Sequence, residues 1–240
     1  MTTIKELLKK NRYFHAFGKY FRRVILNSKY IYFLSNSTKP LSNQYGFDRG
    51  IPLDRFFIEN FLNKHRDNIS GHCLEILSDN YIVKYGKNKV TAKDILDIEP
   101  TNKNATIIGD LRNLTNIKDN IYDTIILTQV LQFIDDVEAV ISECHRILKK
   151  DGVLLVTVPC LSRADCISGK DGDFWRFTQA SAKYLFEKKF NPTNLKIDFY
   201  GNARSGIYFY AGLSVEDTPQ KVLLEKDASF PTIITIKAIK

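Results

Sequence analysis

Glu75 and Asp94, two carboxylates nineteen positions apart, are the residues whose type and spacing first suggest chemistry. Each stands near the end of a short run that reads as a strand, Glu75 in His72-Cys-Leu-Glu-Ile-Leu77 and Asp94 in Lys89-Val-Thr-Ala-Lys-Asp94. A carboxylate at the end of the second strand can accept both ribose hydroxyls of an adenosine, so the spacing fits NAD as well as S-adenosylmethionine. The loop after Glu75 separates the two. A pyrophosphate asks for a glycine-rich turn and a helix N-terminus free of negative charge. This loop reads Leu77-Ser-Asp-Asn-Tyr81, without glycine and with Asp79. Such a loop repels a pyrophosphate and suits the cationic amino group and sulfonium of S-adenosylmethionine. NAD is the weaker reading.

Strands must hold these groups, and the stretch from Tyr122 to Pro159 shows of which kind. Its outer pieces, 122–128 and 153–158, are nearly continuous apolar runs, as in strands buried on both faces of a parallel sheet. Between them Val137, Val140, Ile141, Cys144, Ile147 and Leu148 form one apolar helical stripe. Asp135 with Glu138 predicts a capping-box start, and Gly152 is placed to take a left-handed cap. Strand, helix and strand of this length predict a right-handed crossover and a doubly wound α/β sheet, which binds ligands at the carboxyl ends of its strands. Further strands are predicted at 72–77, 89–94, 105–108, 195–200 and 231–239, with helices at 54–64 and 181–190.

The words of this stretch add what periodicity cannot. Tyr-Asp before an apolar strand, Gln129-Val-Leu-Gln-Phe-Ile134 after it, and His145-Arg-Ile-Leu-Lys-Lys-Asp-Gly152 before the next strand resemble class I S-adenosylmethionine-dependent methyltransferases, in the branch called methyltransferase type 11. The resemblance runs from about Tyr45 to residue 240. It implies the Rossmann-like seven-stranded sheet with its last strand antiparallel, and S-adenosylmethionine as cofactor. In Gly109-Asp110-Leu111 it implies an acceptor for the adenine amino group, Asp110. Thr128 and Gln129 would lie beside the methionine, completing a cofactor set with Glu75, Asp79, Asp94, Asp110 and Leu111. The chain departs from the family at Leu77, where glycine is usual. A branched side chain there either obstructs the methionine portion or turns into the core.

A narrower likeness concerns Gly46-Phe-Asp-Arg-Gly-Ile-Pro-Leu-Asp-Arg55 and Asp173-Phe-Trp-Arg-Phe-Thr178. Both resemble a subgroup of these methyltransferases found with polysaccharide glycosyltransferases. It implies that Arg49, Asp54 and Arg55 close the cleft, and that Asp173, Trp175 and Arg176 bind substrate as an aromatic plate and an anion-binding fork. The other reading of the second segment is a helix start capped by Thr178, with Trp175 buried.

In such an enzyme the cofactor carries most of the chemistry, and a hydroxyl acceptor also needs a base for its proton. His72 and His145 fall at the wrong end of the sheet, and His15 and His65 precede its first strand. Asp165, Asp171 and Asp173, in the loop after the fifth strand, are better placed, and the base stays unassigned among them. The expected activity is O-methylation of a saccharide or saccharide-linked intermediate in surface polysaccharide biosynthesis. The alternative is a non-catalytic relative acting as a binding partner or scaffold.

Bulk properties narrow the setting. At 240 residues and 44% hydrophobic content the chain can build a full core. The net charge of +8 lies wholly in residues 1–40, which hold nine basic side chains against one acidic. That arm also spaces Ile4, Leu7, Leu8, Phe14, Phe17, Phe21, Val24 and Ile25 as on a helix. It suits either peripheral contact with an anionic inner membrane face or packing against the domain or a second subunit. No nucleic-acid partner and no metal are expected. Cys73, Cys144, Cys160 and Cys166 form no C-x-x-C pair, which predicts a reduced, cytoplasmic protein. The oligomeric state is not legible.

Overall fold

The computed structural model describes residues 38–165 and 172–240. Most of the basic arm, with its expected helix, lies outside them, as do Cys166, Gly169 and Asp171. Seven strands form one sheet in the order β3-β2-β1-β4-β5-β7-β6. They are β1 (Gly71–Ile76), β2 (Val90–Asp97), β3 (Ile107–Ile108), β4 (Tyr122–Thr128), β5 (Leu148–Pro159), β6 (Leu195–Tyr200) and β7 (Ile233–Ile239). The first five run parallel, and β7 lies antiparallel between β5 and β6. This is the doubly wound α/β sheet that the sequence implies.

Helices cover both faces: α1 (Leu53–Lys64), α2 (Val137–Ile147), α3 (Gln179–Phe186), α4 (Ala203–Ala211) and the short α5 (Gln220–Leu224). Successive strand residues point to opposite faces, which is why the central strands carry apolar residues toward both faces. Leu74, Ile125 and Leu154 join the stripe of α2, whereas Cys73, Ile126 and Leu155 join Phe57, Phe61 and Leu62 of α1. Among the described residues no helix is long and apolar enough to cross a membrane.

Several boundaries differ from the sequence expectation, each for a local reason. β2 continues past Asp94 to Asp97, because the chain around β3 supplies partners: Thr106 N donates to Ile95 O and Gly109 N to Asp97 O, both at 3.0 Å. The cap of α2 is Asp136, which accepts from Ala139 N at 2.9 Å, while Asp135 pairs with Arg112 at 2.7 Å. β5 starts directly after α2, so the left-handed residue is Asp151 (φ 64°) and not Gly152. Gly152 answers to crowding instead, since a Cβ there would lie 2.9 Å from Lys149 O. α3 begins at Gln179 with Thr178 and Ser181 exchanging capping hydrogen bonds. The helices α4 and α5 carry too short a pattern to have been foreseen.

A strap ahead of α1 is tied to the far end of the chain. Gly46 takes φ +90°, and a Cβ on it would press to 2.9 Å from Leu213 O. Arg49, only 2% exposed, pairs with Asp217 through Nε at 2.7 Å and Nη2 at 3.0 Å. Breaking a buried pair strands a charge, so Arg49→Ala should lower unfolding free energy by about 3–5 kcal/mol. The double variant Arg49→Met with Asp217→Leu should recover most of it. Urea denaturation measures both, and equal losses in single and double variants would show that the pair is not the source.

Candidate active site

Where β1, β2 and β4 end, the chain leaves the sheet at one level and two adjoining chambers open. The smaller, about 430 Å³, is bordered by Asp97, Ile98, Asp110, Leu111, Phe133 and Phe174. The larger, about 610 Å³, is bordered by Tyr45, Asp54, Glu75, Tyr81, Asp165 and Arg176, among others. Leu77 and Gln129 border both. Each has a left-handed backbone, at φ 68° and 56°, a conformation that branched and long side chains seldom adopt.

The register of β2 decides which acid meets the ligand. Asp94 is paired with Leu74 in mid-strand and lines neither chamber. Its carboxylate accepts from Thr106 Oγ1 at 2.8 Å and Tyr122 OH at 3.0 Å, and His72 Nε2 lies 2.8 Å away. Burial alone would raise this carboxyl, but those three hydrogen bonds outweigh it and hold it below the usual range. Asp97, which ends β2, borders the smaller chamber where Asp94 does not. Asp97 is buried, and its two oxygens accept from Glu99 N at 2.9 Å and Asn102 Nδ2 at 2.7 Å. The apolar pair Ile95-Leu96 before it was the signal that the strand runs on.

Other expected residues divide likewise. Asp110 and Leu111 border the smaller chamber, where Asp110 is held by Arg112 Nη2 at 2.6 Å and is thereby kept well below the usual carboxylate range. Thr128 borders the larger chamber. Asp79 lines neither, since its carboxylate pairs with Lys93. Asp173 and Arg176 border the larger chamber as a two-pronged pair, at 2.6 and 2.8 Å. Arg176 also donates to the carbonyls of Ser162, Arg163 and Trp175, so its fork is spent on the protein and is not free for an anion. Trp175 is no wall of the cleft. Its Nε1 donates to Ile134 O at 2.9 Å, and its half-exposed ring borders a shallow acidic hollow with Asp136 and Glu138. Its neighbour Phe174 faces the smaller chamber in its place. Arg49 is locked in the strap, whereas Asp54 and Arg55 do reach the larger chamber.

Residues 71–156 match the family described as methyltransferase domain. No curated protein sequence matches it. Among solved structures, it is similar to a SAM-dependent methyltransferase from Archaeoglobus fulgidus, with 12% identity, TM-score 0.52, and 78% of this chain and 94% of that one covered. It is also similar to a SAM-dependent methyltransferase from Thermotoga maritima described as a possible histamine N-methyltransferase, with 17% identity, TM-score 0.52, and 91% and 97% covered. At these identities the two share its fold. The match to a methyltransferase domain indicates S-adenosylmethionine as the cofactor.

The smaller chamber fits the adenosine part of that cofactor. It joins a buried carboxylate with spare lone pairs, Asp97, to apolar walls at Ile98, Leu111, Phe133 and Phe174. In the larger chamber Glu75 accepts from Tyr81 N at 3.0 Å and Ile82 N at 2.9 Å and so shapes the turn into the π-helical segment Ile82–Gly86. Burial nevertheless lifts its carboxyl from the ordinary 4.5 to about 7. A raised acid gives stability that is complete below pH 4.5 and lost as the pH climbs through about 7, because the folded state must then ionise a buried group. The loss is on the order of 3 kcal/mol. Glu75→Gln should abolish this decline between pH 5 and 8 in denaturant titrations. Parallel wild-type and variant curves would refute it.

Proposed function

We propose that this protein transfers the methyl group of S-adenosylmethionine to a hydroxyl of a saccharide or saccharide-linked acceptor. The observation that carries the reading is the lining of the larger chamber, which sets aromatic rings (Tyr45, Phe47, Tyr81, Phe209) among carboxylates and amides (Asp54, Asn80, Gln132, Asp165). Rings offer faces to the apolar side of a sugar, and carboxylates and amides take its hydroxyls. The chamber adjoins the one that fits adenosine, so an acceptor there meets the cofactor at the seam they share.

S-adenosylmethionine, when bound, supplies a methyl carbon made electrophilic by its sulfonium. The protein's part is to hold the two reactants, keep water away and take one proton. Asp97 would hold the ribose and Asp110 the adenine amino group, with Phe133 and Phe174 as apolar walls. Among the acids of the larger chamber, Glu75 is engaged by backbone donors and Asp173 by Arg176, which keeps the latter strongly acidic. Asp54, at the start of α1, borders the same chamber, and burial raises its carboxyl above the usual range, as it also does at Glu75. Asp54 is our candidate for the base.

Two measurements test this function. By calorimetry, Asp97→Asn should weaken S-adenosylmethionine binding by about tenfold to a hundredfold, the equivalent of losing charged hydrogen bonds, whereas Asp94→Asn should not change it. Equal effects would restore Asp94 to the site. In the second, labelled methyl groups are offered with panels of saccharides and of amines. Uptake by saccharides, reduced about a hundredfold or more in Asp54→Asn with cofactor affinity intact, is expected. Uptake by amines alone would overturn the acceptor, and no uptake with sound cofactor binding would favour a non-catalytic role.

A further inference from the structure

We propose that Leu77 is a gate between the two chambers, which sets how well a ligand spanning both is held relative to one confined to the smaller. This rests on the cofactor reading above. Five residues border both chambers: Ile76, Leu77, Gln129, Val130 and Phe133. Four of them are partly buried, and Leu77 alone is more than half exposed, at 58%.

The backbone cannot turn this side chain away. Leu77 N donates to Leu96 O at 3.0 Å, and Leu77 O accepts from Asn102 Nδ2 at 3.0 Å, which fixes the left-handed residue from both sides. Asn102 also holds Asp97, so the gate and the ribose-binding acid share one brace. Opposite stands Gln129, likewise left-handed, with its N–H on Thr157 O at 2.8 Å and its carbonyl on Gln132 Nε2 at 3.0 Å. With both backbones fixed, only rotation of side chains can widen the seam. Glycine would take φ 68° without strain and leave the seam open. A branched side chain in this place narrows it instead.

Adenosine, confined to the smaller chamber, borders the gate without having to pass it. S-adenosylhomocysteine, whose amino-acid tail runs on toward the larger chamber, must push it aside. Calorimetry with both ligands on wild type, Leu77→Ala and Leu77→Gly separates these cases. We expect both variants to bind S-adenosylhomocysteine about tenfold more tightly, with adenosine affinity unchanged. Alanine keeps the Cβ and the strained backbone, so a gain in both variants assigns the effect to the branched side chain. A gain confined to glycine, or unchanged or weaker S-adenosylhomocysteine binding in both, overturns the gate while adenosine binding leaves the cofactor reading standing. If neither ligand binds any of the three proteins, each folded by circular dichroism, the cofactor reading fails and takes the gate with it.

Discussion

The register of β1 between β2 and β4 is the constraint on which both chambers depend. Leu74 lies beside Asp94 on one side and Ile125 on the other, and Glu75 beside Ile95 and Ile126. Counting up from those rungs, Leu77, Asp97 and Thr128 fall level where the strands end, and Gln129 follows one residue on. A slip of one residue would exchange the faces of every side chain, putting Cys73 where Leu74 meets α2. The apolar layers on both faces therefore fix the site, although few of their residues touch it.

The fold was largely legible because buried parallel strands announce themselves as apolar runs, and the stripe of α2 from Val137 to Ile147 is unambiguous. The site was legible only where its residue ends a strand that is clear in the sequence, as at Glu75 and Gln129. Asp97 was missed because Thr91, Lys93 and Asp94 make β2 look finished, while Ile95 and Leu96 are kept in the strand by partners around β3, remote in any local pattern. Trp175 and Arg176 show the opposite failure. Their types suggest a ligand, yet the carbonyls of Ile134, Ser162 and Arg163 already occupy their donors. Residue type states what a side chain can bind. Only packing states what it is left free to bind.

The buried acids follow one rule with different outcomes. Burial raises a carboxyl, and donors lower it. At Asp94 three side-chain donors win, and the acid becomes a fastening between β2, β1 and β4. At Glu75 two backbone donors do not suffice, and the acid stays near neutrality at the chamber wall. Asp110 and Asp173 have guanidinium partners and stay ionised. The acids with guanidinium partners are thus removed from proton chemistry, and Glu75 and Asp54 are left as carboxyls at the chamber wall that burial raises.

Strain gathers at the same level of the sheet. A non-glycine residue in the left-handed region costs roughly 1–2 kcal/mol, and this edge carries two of them on neighbouring strands, Leu77 and Gln129. Each is clamped by hydrogen bonds from an adjacent strand or loop, so the rest of the fold sustains the conformation. An exposed leucine recovers little of that cost in the free protein, since little of its apolar surface leaves water. A ligand passing through the seam would cover it. Transfer of a methyl cation equivalent also requires that water be kept from the reacting carbon, and an apolar side chain at the junction of the two chambers does that without offering a competing nucleophile. The same leucine can therefore oppose entry of a long ligand and, once moved aside, seal the place where the proposed transfer occurs.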